Sequence, residues 1–299
     1  MMHKNNILAL LLLAALFFSC TAPIDINTRN SDPVIVIYGY ITDEYKTQHI
    51  RITSSSPYFD ENTNRAITDA EVRLITSTGE DYRFVSEEYG YYVSNRRFAG
   101  VPGVTYTLSV TVDFDGDGET ELYEAETTLL PIVPVDSVDI TVVDIMMYRH
   151  FALNFYMLQE PAETENFYLF KFFINDSISN DKISELIISD DRMYNGKEVP
   201  GATITYFEDA TDEDVLEKNK DEDDVYMAVP GDRIRVQILN IEKGYYHFIN
   251  QCISEKNGEN PFFGGPPSNI TTNFSNGAIG YFSSYCIQEK HTVVPESGD

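Results

Sequence analysis

Tyr106-Thr107-Leu108-Ser109-Val110-Thr111-Val112 sets large apolar side chains at every second position, and Leu122-Tyr123-Glu124-Ala125-Glu126-Thr127-Thr128-Leu129 follows as its partner. A period of two places those side chains on one face of a pleated strand, so the pair reads as an antiparallel hairpin with one face buried. The same signals recur outward toward the N-terminus. Val34-Ile35-Val36-Ile37-Tyr38-Gly39-Tyr40-Ile41-Thr42 is a β-branched run with a glycine where a bulge or bend would sit, and Ile50-Arg51-Ile52-Thr53 and Ala70-Glu71-Val72-Arg73-Leu74-Ile75 alternate. Tyr89-Gly90-Tyr91-Tyr92 opens another short strand, while Thr78-Gly79-Glu80 and Val101-Pro102-Gly103-Val104 are turns. Short strands at this spacing describe an antiparallel β-sandwich over residues 33–130, closed off by the stiff Leu130-Pro131-Ile132-Val133-Pro134.

Residues 131–290 read as a second β-rich module. Strands are expected at 137–143, 150–157, 167–174, 203–207, 225–228 and 233–239, with a closing strand at 277–287 and a tail at 291–299. One helix is expected near 241–255, where Ile241, Tyr245, Phe248, Ile249 and Cys252 recur at helical spacing and form an apolar stripe for a sheet. The fold class is therefore mainly β. Composition agrees: the 299 residues hold 18 Phe and 20 Tyr but no Trp, with 17 Gly and 13 Pro for turns. A net charge of −27 repels phosphate backbones and excludes general nucleic-acid binding.

The first nineteen residues read as a signal peptide, with Lys4 before an apolar run too short to span a bilayer comfortably. The run ends on Phe17-Phe18-Ser19-Cys20, which resembles a bacterial lipobox. Cys20 is then the lipidation site, with a polar tether over 20–32. Each buried CH₂ of an acyl chain such as palmitate adds about 0.8 kcal/mol of membrane affinity, so several chains hold a body on a bilayer. The alternative is an ordinary cleaved signal in which Cys20 is incidental. The single acid in Thr21-Ala22-Pro23-Ile24-Asp25 leaves open which face of the membrane the body occupies.

Four further features carry chemistry. Residues 113–124 fit a twelve-residue EF-hand loop, with Asp113, Asp115, Asp117, Glu119, Glu121 and Glu124 as candidate Ca²⁺ ligands and Gly118 at the sharp turn. Its flanks alternate as strands, so a hairpin turn with solvated acids accounts for the same string. The run 208–224, with ten acids against Lys218 and Lys220, reads as a mobile surface loop. Cys252 and Cys286 are placed to form a disulfide between the helix and the last strand if the compartment is oxidising, or to serve as two buried thiols. In the closing motif, Phe262, Phe263, Phe274 and Tyr281 form a candidate binding platform, against which stands a structural loop plugging the sandwich. No nucleophile elbow, zinc-protease motif or phosphate loop occurs, and the five His show no paired metal spacing, so no catalytic residue is assigned and the protein reads as a non-enzyme.

The order of these turns and strands looks like an Ig-like domain of the prealbumin-like type. Four motifs in sequence carry a more specific resemblance: Val36-Ile37-Tyr38-Gly39-Tyr40-Ile41-Thr42-Asp43 after the tether, Ser56-Pro57-Tyr58-Phe59, Val101-Pro102-Gly103-Val104-Thr105-Tyr106, and the closing stretch from Asn260 to Phe282. Together they resemble a Bacteroidota cell-envelope lipoprotein family of unknown function, DUF4249. That resemblance implies a lipid-anchored outer-membrane protein, frequently associated with a TonB-dependent transporter barrel and without established catalysis. The expected function is accordingly a non-catalytic accessory or ligand-capture partner of such a transporter. The alternatives are a stand-alone carbohydrate- or peptide-binding surface protein and a structural envelope or adhesin component.

Overall fold

The computed structural model describes residues 33–55, 65–162, 164–219, 225–257 and 270–296. Seven strands fill the expected sandwich: β1 (Ile35–Thr42), β2 (His49–Ser54), β3 (Glu71–Thr76), β4 (Asp81–Ser86), β5 (Tyr91–Ser94), β6 (Thr105–Val112) and β7 (Glu121–Thr128). The hairpin of β6 and β7 pairs from Val112↔Glu121 to Thr105↔Thr128, and its alternation is as read: Tyr106, Leu108, Val110 and Val112 are buried with Tyr123 and Ala125. Strand β4 is an addition, because Tyr82 and Phe84 alternate with charged and polar residues over too short a span to announce it.

The rest of the chain forms β8 (Ser137–Ile145), β9 (Tyr148–Met157), β10 (Phe167–Ile174), β11 (Ser177–Ile178), β12 (Ile187–Asp190) and β13 (Val199–Asp209). After these come α1 (Glu213–Lys218), β14 (Met227–Ala228), β15 (Arg233–Ile241), α2 (Lys243–Asn257) and β16 (Ile279–Val293). The expected helix is thus α2. The closing strand runs to Val293, and Val294 beyond it is buried, so part of the stretch expected as tail belongs to the core. The acidic run expected as a mobile loop is partly ordered. β13 extends to Asp209, and the side chain of Asp212 caps α1 by accepting the Asp214 N–H at 2.9 Å. Residues 220–224 of that run lie outside the described residues.

Two sheets result. The larger runs β11-β10-β15-β16-β1-β2-β5-β4-β3-β6-β7 with β12 also on β10, and the smaller runs β14-β13-β9-β8. The junction is β16, which pairs antiparallel with β15 on one side and parallel with β1 on the other. The last strand of the expected second module is therefore built into the sheet of the first. The large sheet curls until β7 meets β16 again, where Thr127 and Ser284 hydroxyls lie 3.0 Å apart and Glu242 takes the Thr128 N–H at 2.9 Å.

Successive residues of β16 feed different cores. Phe282 and Cys286 enter the core inside the curled sheet, with Ile37, Leu74, Leu108 and Leu129. Tyr281 and Tyr285 enter the core beneath α2, with Tyr245, Phe248 and Ile249. A third core, containing Phe151, Phe155, Phe170, Phe172 and Phe207, fills the space between the small sheet and β10 and β15. Close approach of β1 to β16 demands glycine at 280, where φ is +105° and a Cβ would lie 2.9 Å from the Ile37 carbonyl carbon.

Candidate functional site

The acidic hairpin lies between β6 and β7. Asp113, Asp115 and Asp117 bring carboxylate oxygens within 4.8 Å of one another. Backbone N–H groups already use several of these oxygens. Gly116 and Gly118 donate to the two oxygens of Asp113 at 2.8 and 3.0 Å, Asp117 donates to Asp115 at 3.1 Å, and Glu119 donates to Asp117 at 2.8 Å. These bonds build the turn, as short acidic side chains do at loop tips. Glu121 takes the Phe114 N–H at 2.9 Å, also inside the loop. Glu119 is exposed. Glu124 departs from the EF-hand pattern, since it sits three pairs along the ladder opposite Ser109, whose hydroxyl donates to it at 3.0 Å. The reason is the strand flank: an EF-hand brings its twelfth residue back by entering a helix, whereas a β-ladder carries it away.

The binding platform is corrected at both of its described members. Phe274 and Tyr281 are each 6% exposed, Phe274 in the curled-sheet core and Tyr281 in the core under α2, so neither presents its ring to a partner. Burial of large aromatic area outweighs display here. Phe262 and Phe263 lie outside the described residues, as does Cys20. The segment before β16 is held by Asn273, which donates to the carbonyls of Phe282 (2.7 Å) and Glu126 (3.1 Å) and accepts the Phe282 N–H (3.0 Å). That is the plugging role, fastening β7 to β16.

Cys252 and Cys286 do not pair; both are free thiols. Cys286 points into the curled-sheet core and Cys252 packs at the core under α2, on the opposite face of the sheet. Burial pushes Cys252 up to about 11, and burial followed by the neighbouring Asp43 carboxylate pushes Cys286 up to about 12, so both are inert as nucleophiles.

The feature absent from the sequence reading is a part-open cavity of about 140 Å³ at one end of the third core, between β9 and β13 of the small sheet and β10 and β12 of the large one. Phe155, Phe170 and Val199 give it apolar walls, and Glu160 and Asp191 bring carboxylates to it. Two loops tied together hold these acids. Asn166 donates its backbone N–H to Asp191 Oδ2 at 2.8 Å and its side-chain amide to Glu160 Oε1 at 2.7 Å. Tyr168 donates to the same Glu160 oxygen at 3.3 Å, and the Gly196 N–H reaches Oε2 at 3.1 Å. Gly196 is obligatory because its φ is +71° and a Cβ would lie 2.7 Å from that of Ala162. The Asp191 carbonyl closes the turn by accepting the N–H groups of Tyr194 (2.8 Å) and Asn195 (2.7 Å).

Glu160 and Asp191 are 1% and 3% exposed, and none of the described lining residues is cationic. Arg192 is turned outward and paired with Asp190 at 2.7 Å. Burial raises the Glu160 carboxyl above its ordinary value, with the Asp191 charge adding to it and the hydrogen bonds from Gly196, Asn166 and Tyr168 opposing it. Asn195-Gly196 is readable in the sequence as a turn, but which of 48 acids it buries is decided by tertiary packing.

The family described as "Domain of unknown function (DUF4249)" matches this chain over residues 21–291. The chain belongs to this family. DUF4249 thus covers the tether, both expected modules and the cavity loops. A search of the curated proteins finds no match. Among solved structures, a two-domain fibronectin type III segment from chicken tenascin is similar at 10% identity over 66% of this chain and 86% of that one, with a TM-score of 0.18. At that score the likeness carries no argument about this DUF4249 member. Its fold class, mainly β with sandwich-like sheets, stands on the strands and cores described above.

Proposed function

We propose that this DUF4249 protein is a non-catalytic, lipid-anchored outer-membrane lipoprotein of a Bacteroidota-type envelope. It captures ligand for, or docks on, a TonB-dependent nutrient transporter. The observation that carries the reading is the leader ending on Phe17-Phe18-Ser19-Cys20, joined by a polar tether to a β-rich body. The part-open cavity supports capture, since apolar walls with a few convergent polar groups are the usual make-up of a ligand site. No helix of the described residues is long and apolar enough to cross a membrane, so attachment in this reading rests on Cys20. Affinity capture from native membranes tests it: a large β-barrel protein co-purifies with the tagged chain, and recovery of the chain alone refutes the partnership.

A second, finer reading concerns calcium at the β6–β7 hairpin, as a structural clip and not a catalytic ion. The convergence of Asp113, Asp115 and Asp117 favours it.

A further inference from the structure

We propose that the cavity between β9/β13 and β10/β12 binds a primary ammonium or guanidinium group carried on a short apolar stem, with Asp191 and Glu160 taking the charge. Three observations carry this. First, Asp191 is 3% exposed, lines the cavity and takes the Asn166 N–H on Oδ2, while its Oδ1 accepts no hydrogen bond from the described residues. That oxygen stays available to accept a ligand N–H, and a charge-assisted bond to it is stronger than a neutral one. Second, Glu160, Asp190 and Asp191 all line the cavity, and Arg192 pairs only with Asp190; among the described residues no cation lines the cavity or pairs with Glu160 or Asp191. Buried acids are ordinarily paired, and a ligand cation completes the pairing. Third, Phe155, Phe170 and Val199 supply an apolar wall for a stem, beside the polar groups of Ser189, Tyr194 and Thr203, and the volume is close to that of the engineered cavity of about 150 Å³ that admits benzene. That is room for a head group and a few methylenes.

The loops that carry the two acids also expose Leu158 and Met193 at 79% and 76%, which offers apolar surface to whatever bears the stem. A free amine and a lysine or arginine side chain of a peptide share this chemistry. The inference gives the ligand-capture reading a chemical class and in that sense rests on it. Its test needs no membrane partner, so failure here leaves the transporter partnership standing, and loss of the partnership leaves this binding measurable.

The test is calorimetric titration of the full chain, purified from membranes in non-ionic detergent and amine-free buffer. The probes are n-butylammonium, its neutral counterpart n-pentanol, and the blocked tripeptide acetyl-Gly-Lys-Gly-amide. Butylammonium should bind in roughly the millimolar range and at least about tenfold tighter than pentanol. A tripeptide at least as tight assigns the site to peptide side chains, and a tripeptide that fails where butylammonium binds assigns it to free amines. Asp191→Asn keeps an oxygen for the Asn166 N–H but turns an amide donor toward the cavity, and should weaken butylammonium by about tenfold or more. Ala202→Leu, which fills the cavity from β13 without replacing either acid, should abolish binding independently. Equal affinity for pentanol and butylammonium, no binding of either cation, or cation binding undiminished in both variants overturns the proposal.

Discussion

Replacing Gly280 with alanine asks whether β16 joins the cores, because Gly280 sits where β16 meets β1 in parallel register, opposite Ile37. The added methyl meets the Ile37 peptide, 2.9 Å from its carbonyl carbon and closer still to its oxygen, and φ of +105° is a region alanine avoids. The backbone strain costs about 1–3 kcal/mol. Prising the strands apart weakens the flanking ladder bonds at about 1 kcal/mol each. The total, roughly 3–5 kcal/mol, is a large share of the 5–15 kcal/mol that typically holds a domain. Gly79→Ala is the control, since φ there is +91° but nothing lies within 4 Å of the added carbon. It should cost only the strain, about 1 kcal/mol. Urea unfolding, followed by far-ultraviolet circular dichroism and by the fluorescence of the 20 tyrosines, reads both variants. Gly280→Ala should shift both signals together, as the adjacent Tyr281 and Phe282 serve different cores. A Gly280→Ala cost no greater than that of Gly79→Ala refutes the reasoning.

Glu160 gives a pH signature. Its folded-state carboxyl is raised above the ordinary 4.5, so its favourable contribution is complete below that value and disappears as pH rises through the folded value. Stability of Glu160→Gln relative to wild type should therefore climb as pH rises above the ordinary 4.5 and level off once the folded-state carboxyl has ionised; a gap independent of pH contradicts the assignment. Cys252 and Cys286 should react slowly with a thiol reagent in the folded protein and fully in denaturant, and a Cys252–Cys286 linked peptide in a non-reducing digest would show the described arrangement to be wrong. Calcium at millimolar concentration should release heat with wild type and not with Asp113→Ala, and no heat with wild type removes the calcium reading. In the absence of metal the same substitution should cost about 1–2 kcal/mol, because the Gly116 and Gly118 N–H groups lose their acceptors.

The parts of this fold that were legible are those where local pattern and tertiary burial agree. β6 and β7 alternate because one face lies on a core, and the stripe of α2 packs on the sheet as its spacing requires. β12 was not legible, since Ile187, Ile188, Ser189 and Asp190 are all half-buried and alternate in nothing. The division into two modules follows most of the local strands, but local pattern carries no sign that β16 pairs with β1, a contact between opposite ends of the body. The aromatic residues of the closing motif were visible as a cluster, yet alternation along β16 and its approach loop sends Phe274 and Tyr281 to opposite faces. Least visible was the cavity. Glu160 and Asp191 are separated by β10, β11 and β12, and the pairing of β10 with β12 together with the bridging bonds of Asn166 brings them together.

The functional account stands or falls first on the anchor, because a body without one has no footing beside a membrane transporter. Its most direct measurement is metabolic labelling with a clickable fatty acid, followed by envelope fractionation of cells producing wild type or Cys20→Ala. The account predicts label and outer-membrane recovery for wild type, with both lost in the variant. Wild type that carries no label, or Cys20→Ala that remains labelled and membrane-bound, would contradict it.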